Sequence, residues 1–242
     1  MKRESLKFQK EKNKNIVAVD TSSRVLSVAI QSSEGGRYEI NLEGTPRHSE
    51  QVIGFIDQGL RSLKLKKKKL DHFLWGLGPG SFTGLRIGMS LLKGFHFGFN
   101  KRAFGASSLD LVALGVPQSS GKLAVCMDAR REKVYLALYT YNHGLIEKTF
   151  GDAVVSIDQF VSRLDHRTIL AGDALAVYGG QIRQKLGKEM VFTEPIFWYP
   201  RALFLLHLYT TKKTWLRPLN LKTMSPQYLR ISEAEENLLK LK

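Results

Sequence analysis

Cysteine is almost absent from this chain: Cys126 is the only one in 242 residues. A lone thiol closes no intrachain disulfide, which excludes a disulfide-stapled scaffold. Set in the apolar run Leu123–Met127, it reads as a buried strand residue, and a reducing, cytoplasmic location fits it. Long apolar runs are missing too. Nothing approaches the roughly 18 consecutive apolar residues of a membrane-spanning helix, so no membrane partner is expected. The N-terminal stretch Met1 to Lys14 is basic and polar with no apolar stretch after it, which argues against a secretory leader. Acid is scarce relative to base: 22 Asp and Glu face 37 Lys and Arg, a net charge of +15. Such a field favours polyanions, nucleic acid ahead of membrane surfaces. Much of the excess lies in the tail (Lys2, Arg3, Lys7, Lys10, Lys12, Lys14) and in the run Lys64, Lys66, Lys67, Lys68, Lys69. A solvated surface is the plain alternative for both. What the chain does have is a 43% hydrophobic fraction, ordinary for a globular protein, and length enough for one large core or two small lobes.

Order is expected to begin at Ile16-Val17-Ala18-Val19, a β-branched run ending in Asp20-Thr21-Ser22-Ser23. Val25 to Ile30 and Tyr38 to Leu42 supply two more strands across tight turns, a meander. Thr45 and Pro46 suit a helix start, and Val52, Ile53, Phe55, Ile56, Leu60 and Leu63 recur at helical spacing. The lysine run closes that helix at the negative end of its dipole. His72 to Leu77 reads as a fourth strand, followed by a glycine-rich loop and a helix over residues 82–99. The pattern then restarts: Leu123 to Met127 ends in Asp128-Ala129-Arg130, Val134 to Tyr139 is its hairpin partner, and Leu145 to Phe150 a third strand. A helix over 157–164, a strand over 168–171 and helices over 175–186 and 201–212 follow. Asp20 and Asp128 hold matching places in the repeat, which points to a duplicated domain. Two lobes of mixed sheet with flanking helices point to an α/β fold of the actin-like, sugar-kinase type, with a Rossmann-like order, which also alternates strand and helix, as the competing reading. The expected division is a disordered tail over 1–14, lobes over 15–105 and 106–230, and a C-terminal tail over 231–242.

The strongest local signal is Gly78-Pro79-Gly80-Ser81-Phe82-Thr83-Gly84-Leu85-Arg86-Ile87-Gly88. Gly78 and Gly80 allow a tight strand-to-helix turn, and Ser81 or Thr83 can cap the helix. Known phosphate loops do not fit, because the dinucleotide fingerprint needs glycine where Thr83 stands and a Walker loop needs lysine after its last glycine. The nucleophile elbow fails at Thr83 as well. Free N–H groups at the helix start are open to an anion, with a tight turn and close helix packing as the simpler reading. Gly84 and Gly88, four apart, share one helix face and let another backbone approach.

Residues 78–88 resemble the signature of the TsaB (YeaZ) family almost letter for letter. Ile16–Ser22, Arg47-His48-Ser49-Glu50, Asp128-Ala129-Arg130 and Pro226-Gln227-Tyr228-Leu229-Arg230 fall in the family's order. The resemblance implies a non-catalytic subunit of the machinery that makes threonylcarbamoyladenosine in tRNA. Its expected partners are a TsaD-like catalytic subunit, a TsaE-like ATPase and, through the complex, tRNA, with a homodimer when alone as a further state. TsaD transfers threonylcarbamoyl to the adenosine beside the anticodon of ANN-decoding tRNAs. The resemblance also implies that the helices starting near His48 and Phe82 pair with two helices of TsaD. The expected interface is Val52, Ile53, Ile56, Leu60, Phe82, Gly84, Leu85, Gly88, Met89 and Leu92. The run Phe95, Phe97, Phe99 adds more apolar surface than one lobe's core needs; a helix layer wholly buried inside this chain is the competing reading.

No cofactor is expected for this chain by itself, with ATP or ADP placed at the partner interface. Asp20, Thr21, Ser22, Asp128 and Arg130 are the candidates for nucleotide contact, because actin-like ATPases put phosphate-loop carboxylates there. Both segments lack the glycines that let a backbone approach phosphate, so structural turns are the competing reading. No metal is expected: the catalytic paralogue ligates through two histidines four apart, and here His48 is followed by Val52 at that spacing. Two other classes stay open. One is an active actin-fold ATP-dependent kinase or carbamoyltransferase; the other is a stand-alone basic RNA-binding protein, which would need the aromatic platforms such proteins use.

Overall fold

The computed structural model describes residues 14–44, 48–117, 120–187, 189–211, 214–221 and 229, without the side chains of 48–50. The expected tails apart from Lys14, the helix-starting Thr45 and Pro46, Arg47, and the Pro226 to Tyr228 and Arg230 positions lie outside the described residues.

Two sheets organise the chain. Strands β1 (Ile16–Asp20), β2 (Val25–Gln31) and β3 (Arg37–Glu43) form the expected meander. Helix α1 (His48–Ser62) then leads to β4 (His72–Gly76), which pairs parallel to β1. Helix α2 (Phe82–Phe99) leads to β5 (Arg102–Ala106), parallel to β4. After helix α3 (Ser108–Gly115), β6 (Gly121–Asp128), β7 (Lys133–Asn142) and β8 (Leu145–Ser156) repeat the meander. Short α4 (Ile157–Val161) and β9 (Ile169–Ala171), parallel to β6, complete the second copy. Helices α5 (Ala174–Leu186) and α6 (Leu203–Thr211) and strand β10 (Arg217–Pro218) follow. The sheet orders are β10-β5-β4-β1-β2-β3 and β8-β7-β6-β9. The sequence β3-β2-β1-β4 is matched strand for strand by β8-β7-β6-β9, so the lobes are copies of one α/β plan. This is the actin-like architecture that the sequence pattern implies.

Strand alternation decides the layers. Val17, Val19, Phe73 and Trp75 point to one face of the first sheet, under Val52, Ile56 and Leu60 of α1 and Leu92 of α2. Ile16, Ala18 and Leu74 point to the other face, against Leu205, Leu206 and Leu208 of α6. In the second sheet, Leu123, Val125 and Met127 meet Leu109 and Val112 of α3. Ala124 and Cys126 meet Phe160 of α4 and Leu175 and Ile182 of α5. Helices α3 and α6 thus form a central layer between the sheets, and Leu114 and Trp215 border the cores on both sides. Each fully buried leucine there contributes about 1.5–3 kcal/mol.

The chain crosses back over the division expected after residue 105. Helix α6 and strand β10, from the far end of the second half, return to the first sheet. Arg201 fastens this return through Nε and Nη2 to Glu39 at 3.0 and 2.5 Å. The backbone N–H of Ala202 donates to Ser27 Oγ at 2.7 Å. The lone thiol, Cys126, is fully buried, and burial pushes its ionisation far above the ordinary range.

Candidate functional site

The three parallel strands of the first sheet end together, at Asp20, Gly76 and Ala106. There the turn Asp20-Thr21-Ser22 meets the glycine-rich loop. The Asp20 carboxylate is fully buried. Its Oδ1 accepts from the backbone N–H and the hydroxyl of Ser22, at 2.9 and 2.7 Å. Its Oδ2 accepts from Ser108 Oγ at 2.7 Å. Burial pushes the Asp20 pKa up, while the bonds from Ser108 and Ser22 pull it back. Ser108 in turn accepts from Gly78 N and donates its own N–H to Gly78 O, at 3.2 and 2.8 Å. Asp20 thus holds the loop through Ser108.

The loop's glycines admit that turn. A Cβ on Gly76 would stand 1.8 Å from Asp20 Oδ2, one on Gly80 2.1 Å from Ser22 O, and one on Gly84 2.0 Å from Thr21 O. One on Gly88 would meet Thr21 Oγ1 at 2.5 Å and Trp75 Nε1 at 2.6 Å. Thr21 Oγ1 donates to Gly84 O at 2.8 Å, and Ser81 N donates to Ser22 O at 2.6 Å. Ser81 caps α2 by accepting from Gly84 N at 3.2 Å. Ser22 O and Ser81 Oγ therefore take up the N–H groups of Ser81 and Gly84 at this helix start.

Two sets of expected site residues are corrected by this geometry. Asp20, Thr21 and Ser22 are 0–1% exposed and bonded to the protein itself, so they build the turn rather than present oxygens to a nucleotide. Gly84 and Gly88 face inward, toward Thr21 and Trp75, not outward to a partner helix. Val52, Ile56, Leu60 and Leu92 are likewise buried, because α1 and α2 spend that face on their own sheet; Leu85 and Met89 are buried too.

The outward face of the two helices is different. Ile53 is 48% exposed and Phe97 82%. Phe82 is partly buried, with the Arg86 guanidinium 4.0 Å over its ring. Phe95 and Phe99 turn inward onto the Phe73 ring, at 5.2 and 6.1 Å between centroids, which leaves Phe97 outside. Around it Gly94 and Gly98 have nothing within 4 Å of a would-be Cβ, and Gly54 on α1 is equally open. The sequence reading missed Gly54, Gly94 and Gly98. The four-residue spacing of Gly94 and Gly98 is the available signal, but Gly84 and Gly88 show the same spacing where the helix packs on its own turn.

In the second lobe the matching turn stays open. Arg130 is exposed, and its guanidinium Nη1 lies 3.2 Å from Asp128 Oδ2. Asp128 Oδ1 accepts the Arg130 N–H at 2.7 Å, and Asp128 N donates to Asp173 Oδ1 at 2.9 Å. Arg130, Arg131 and Glu132 all have positive φ, at 62°, 52° and 55°, a left-handed run that L-residues adopt at a cost. Burial pushes Asp173 up to about 6; Asp128 adds to the rise, while its N–H bond and Arg130 and Arg24 oppose it. Asp173 was not among the expected site residues. No group of three or more His, Cys, Asp or Glu side chains suited to a metal occurs among the described residues, nor any helix long and apolar enough to cross a membrane.

Duplicated lobes, a glycine-rich loop held by the Asp20 turn and an open helix face together define a two-lobed protein of actin-like fold. Comparison with known proteins narrows this class. A family model described as TsaD, tRNA N6-adenosine threonylcarbamoyltransferase, matches residues 43–198. The chain is 27% identical over 223 residues to the tRNA threonylcarbamoyladenosine biosynthesis protein TsaB of Bacillus subtilis, covering 91% of this chain and 96% of that one. TsaB of Escherichia coli is 29% identical over 179 residues, 72% of this chain and 75% of its own. The solved structure of YeaZ from Pseudomonas aeruginosa superposes with a TM-score of 0.74 at 22% identity, over 89% of this chain and 100% of that one. The chain belongs to the family this model describes and, within it, to the TsaB (YeaZ) proteins.

Proposed function

We propose that this chain is a non-catalytic subunit of tRNA threonylcarbamoyladenosine synthesis. It docks a TsaD-like catalytic partner on the outward face of α1 and α2, with a TsaE-like ATPase joining the pair. TsaD-like chemistry then transfers threonylcarbamoyl to the adenosine beside the anticodon. The observation that carries this reading is the contrast within α2. Its inner glycines are consumed by the Asp20-Thr21-Ser22 turn, whereas its outer glycines, Gly94 and Gly98, stand open beside an 82% exposed Phe97. An exposed aromatic flanked by small residues is how a helix offers a close-packed docking surface. In the same molecule the hydroxyls and carboxylate of the first phosphate-loop position are spent on the fold, which supports a role without phosphate chemistry.

The test is Gly94→Leu in the full chain, assayed by pull-down of the TsaD-like partner and by reconstituted threonylcarbamoylation. Overpacking costs about 1–3 kcal/mol, which at an interface is roughly a 5- to 150-fold loss of affinity. Melting should be unchanged or slightly higher, because the site is open and leucine is the better helix former. A folded Gly94→Leu protein that binds the partner as tightly as wild type refutes the assignment. ATP turnover by the purified chain alone, lost on changing Asp128, would instead favour the kinase-like alternative.

A further inference from the structure

The edge of the first sheet opposite the Asp20 turn gathers the charge excess into one ordered surface. Register alone places Arg37 (β3), Gln31 (β2), Ile16 (β1), His72 (β4) and Arg102 (β5) in a single row across the sheet. Four strand spacings of about 4.8 Å make that row about 19 Å long. Lys14 precedes β1 and Lys101 precedes β5 along the same edge. The lysine run joins them, as a single turn of 3-10 helix at Lys67–Lys69.

This lysine turn is built into the edge. Asn15 Nδ2 donates to Lys69 O at 2.9 Å, Asn15 N donates to Asp71 Oδ2 at 2.9 Å, and Asp71 N donates to Asn15 O at 2.8 Å. Asn15 Oδ1 accepts Ser33 N at 2.7 Å, tying in the neighbouring hairpin. Lys69 N and Leu70 N close the turn on Lys66 O and Lys67 O. Four successive exposed lysines are thus held close together, at the cost of mutual repulsion. The acids nearby are few: Lys67 pairs with Asp57 at 2.7 Å and Lys14 with Asp71 at 3.7 Å, while Glu34 sits in the β2–β3 turn. Lys66, Lys68, Lys69, Lys101, Arg102 and Arg37 have no ion-pair partner among the described residues.

We propose that this edge is a phosphate-backbone contact surface for RNA, engaging several successive phosphates through the fixed lysine turn and the flanking arginines. Arg37 and Arg102 close the row about 19 Å apart, and the lysine turn sits between them on Asn15, just before the central strand β1; cations so spaced match several phosphates of one backbone. The turn has no apolar anchor of the kind a membrane-surface segment uses, since Leu70 is 2% exposed and Leu65 packs on the core. The choice of tRNA as the RNA rests on the function proposed above; the phosphate contact does not.

The experiment measures binding of an unmodified tRNA transcript to the full chain across a salt series. Lys66, Lys68 and Lys69 are changed together to Ala, and a control variant changes Lys122, Lys133 and Lys185, exposed lysines of the second lobe. Each phosphate contact steepens the log–log salt slope by roughly 0.7–0.9. Three lost contacts therefore shrink the affinity drop between about 50 and 200 mM salt by roughly 20–40-fold. The edge variant should show that flattening, the control should not, and the corresponding Lys→Arg triple should restore the slope. Equal flattening in both alanine variants, or none in either, overturns the proposal, since the effect would then be overall charge or nothing. Edge-dependent binding to phosphatidylserine vesicles with none to tRNA overturns it in favour of a membrane. Pull-down of the TsaD-like partner should be unaffected by the edge variant. Loss of docking in Gly94→Leu with tRNA binding intact, or the reverse in the edge variant, separates the two readings.

Discussion

Gly84 and Gly94 lie in the same helix, ten residues apart, and a single methyl group should have opposite effects at the two. At Gly94 a Cβ meets nothing within 4 Å. Alanine there should gain the helix-propensity difference, about 1 kcal/mol, since no left-handed φ is required. At Gly84 a Cβ would sit 2.0 Å from the carbonyl oxygen of Thr21. That atom is backbone at the end of β1, so it cannot rotate aside as a side chain would. Thr21 also donates from Oγ1 to Gly84 O at 2.8 Å, so displacing the turn strains or breaks this bond. Overpacking costs about 1–3 kcal/mol, the lost hydrogen bond about 1, and helix propensity returns about 1. The balance for Gly84→Ala is a loss of about 2 kcal/mol. For a chain of this size each kcal/mol moves the melting temperature by about 2–4 °C. Gly94→Ala should melt about 2–4 °C above wild type and Gly84→Ala about 4–8 °C below, by circular dichroism at one protein concentration. Urea midpoints should follow the same order with unchanged slopes. A Gly84→Ala protein as stable as wild type would mean that α2 stands off from the turn. The inward assignment of this glycine face would then fail, and the first phosphate-loop position would be open after all.

Asp173 gives a pH signature. Its pKa in the fold rises to about 6, mainly from burial, so its contribution to stability is present below the ordinary aspartate value and lost as pH rises through 6. Asp173→Asn keeps an acceptor for Asp128 N–H and should gain up to about 3 kcal/mol at pH 7 relative to pH 4; the residue is partly exposed, so this is an upper limit. A wild-type-to-variant difference flat from pH 4 to 7 would rule out the buried-carboxylate reading. Lys148 lies between Asp110 and Asp152, at 2.7 and 2.6 Å, with side-chain exposures of 18%, 5% and 9%. Lys148→Ala should lose about 3–5 kcal/mol at pH 7 because two enclosed carboxylates are left facing each other, and a loss below about 1 kcal/mol by urea unfolding would contradict it.

Much of this architecture is legible in the sequence because the meander strands are β-branched and bounded by turn residues. The duplication shows for the same reason, with Asp20 and Asp128 closing equivalent strands. Strand β5 and helix α3 were not read at all. Arg102–Ala106 is RAFGA, short of branched residues, and it becomes a strand because β4 on one side supplies its hydrogen bonds. Helix α3 is only eight residues, with six of them buried. A helix enclosed between two sheets has no polar stripe, so its periodicity disappears. That omission had a consequence, because α3 carries Ser108, the residue through which Asp20 holds the glycine loop. Without Ser108 in view, the sequence does not decide between nucleotide contact and a structural turn at Asp20.

The difficulty of reading an interface from these glycines has a single physical root. Glycine at four-residue spacing announces that something approaches a helix closely, but not whether that something is the chain's own backbone. In α2 both cases occur. Gly84 and Gly88 lie in the first turns, where the helix leaves the sheet edge and the β1–β2 turn must pass beneath it; the distances to Thr21 leave no room for a side chain. Gly94 and Gly98 come about two to four turns later, on an exposed side where nothing among the described residues lies within 4 Å of a would-be Cβ. A glycine inside a helix costs about 1 kcal/mol relative to alanine. At Gly84 and Gly88 the packing of the turn offsets that cost within the molecule. At Gly94 and Gly98 no intramolecular contact does, and the adjoining Phe97 carries a further hydration cost at 82% exposure. These uncompensated costs fall together on one face of one helix, and a partner helix seated there would offset all of them at once.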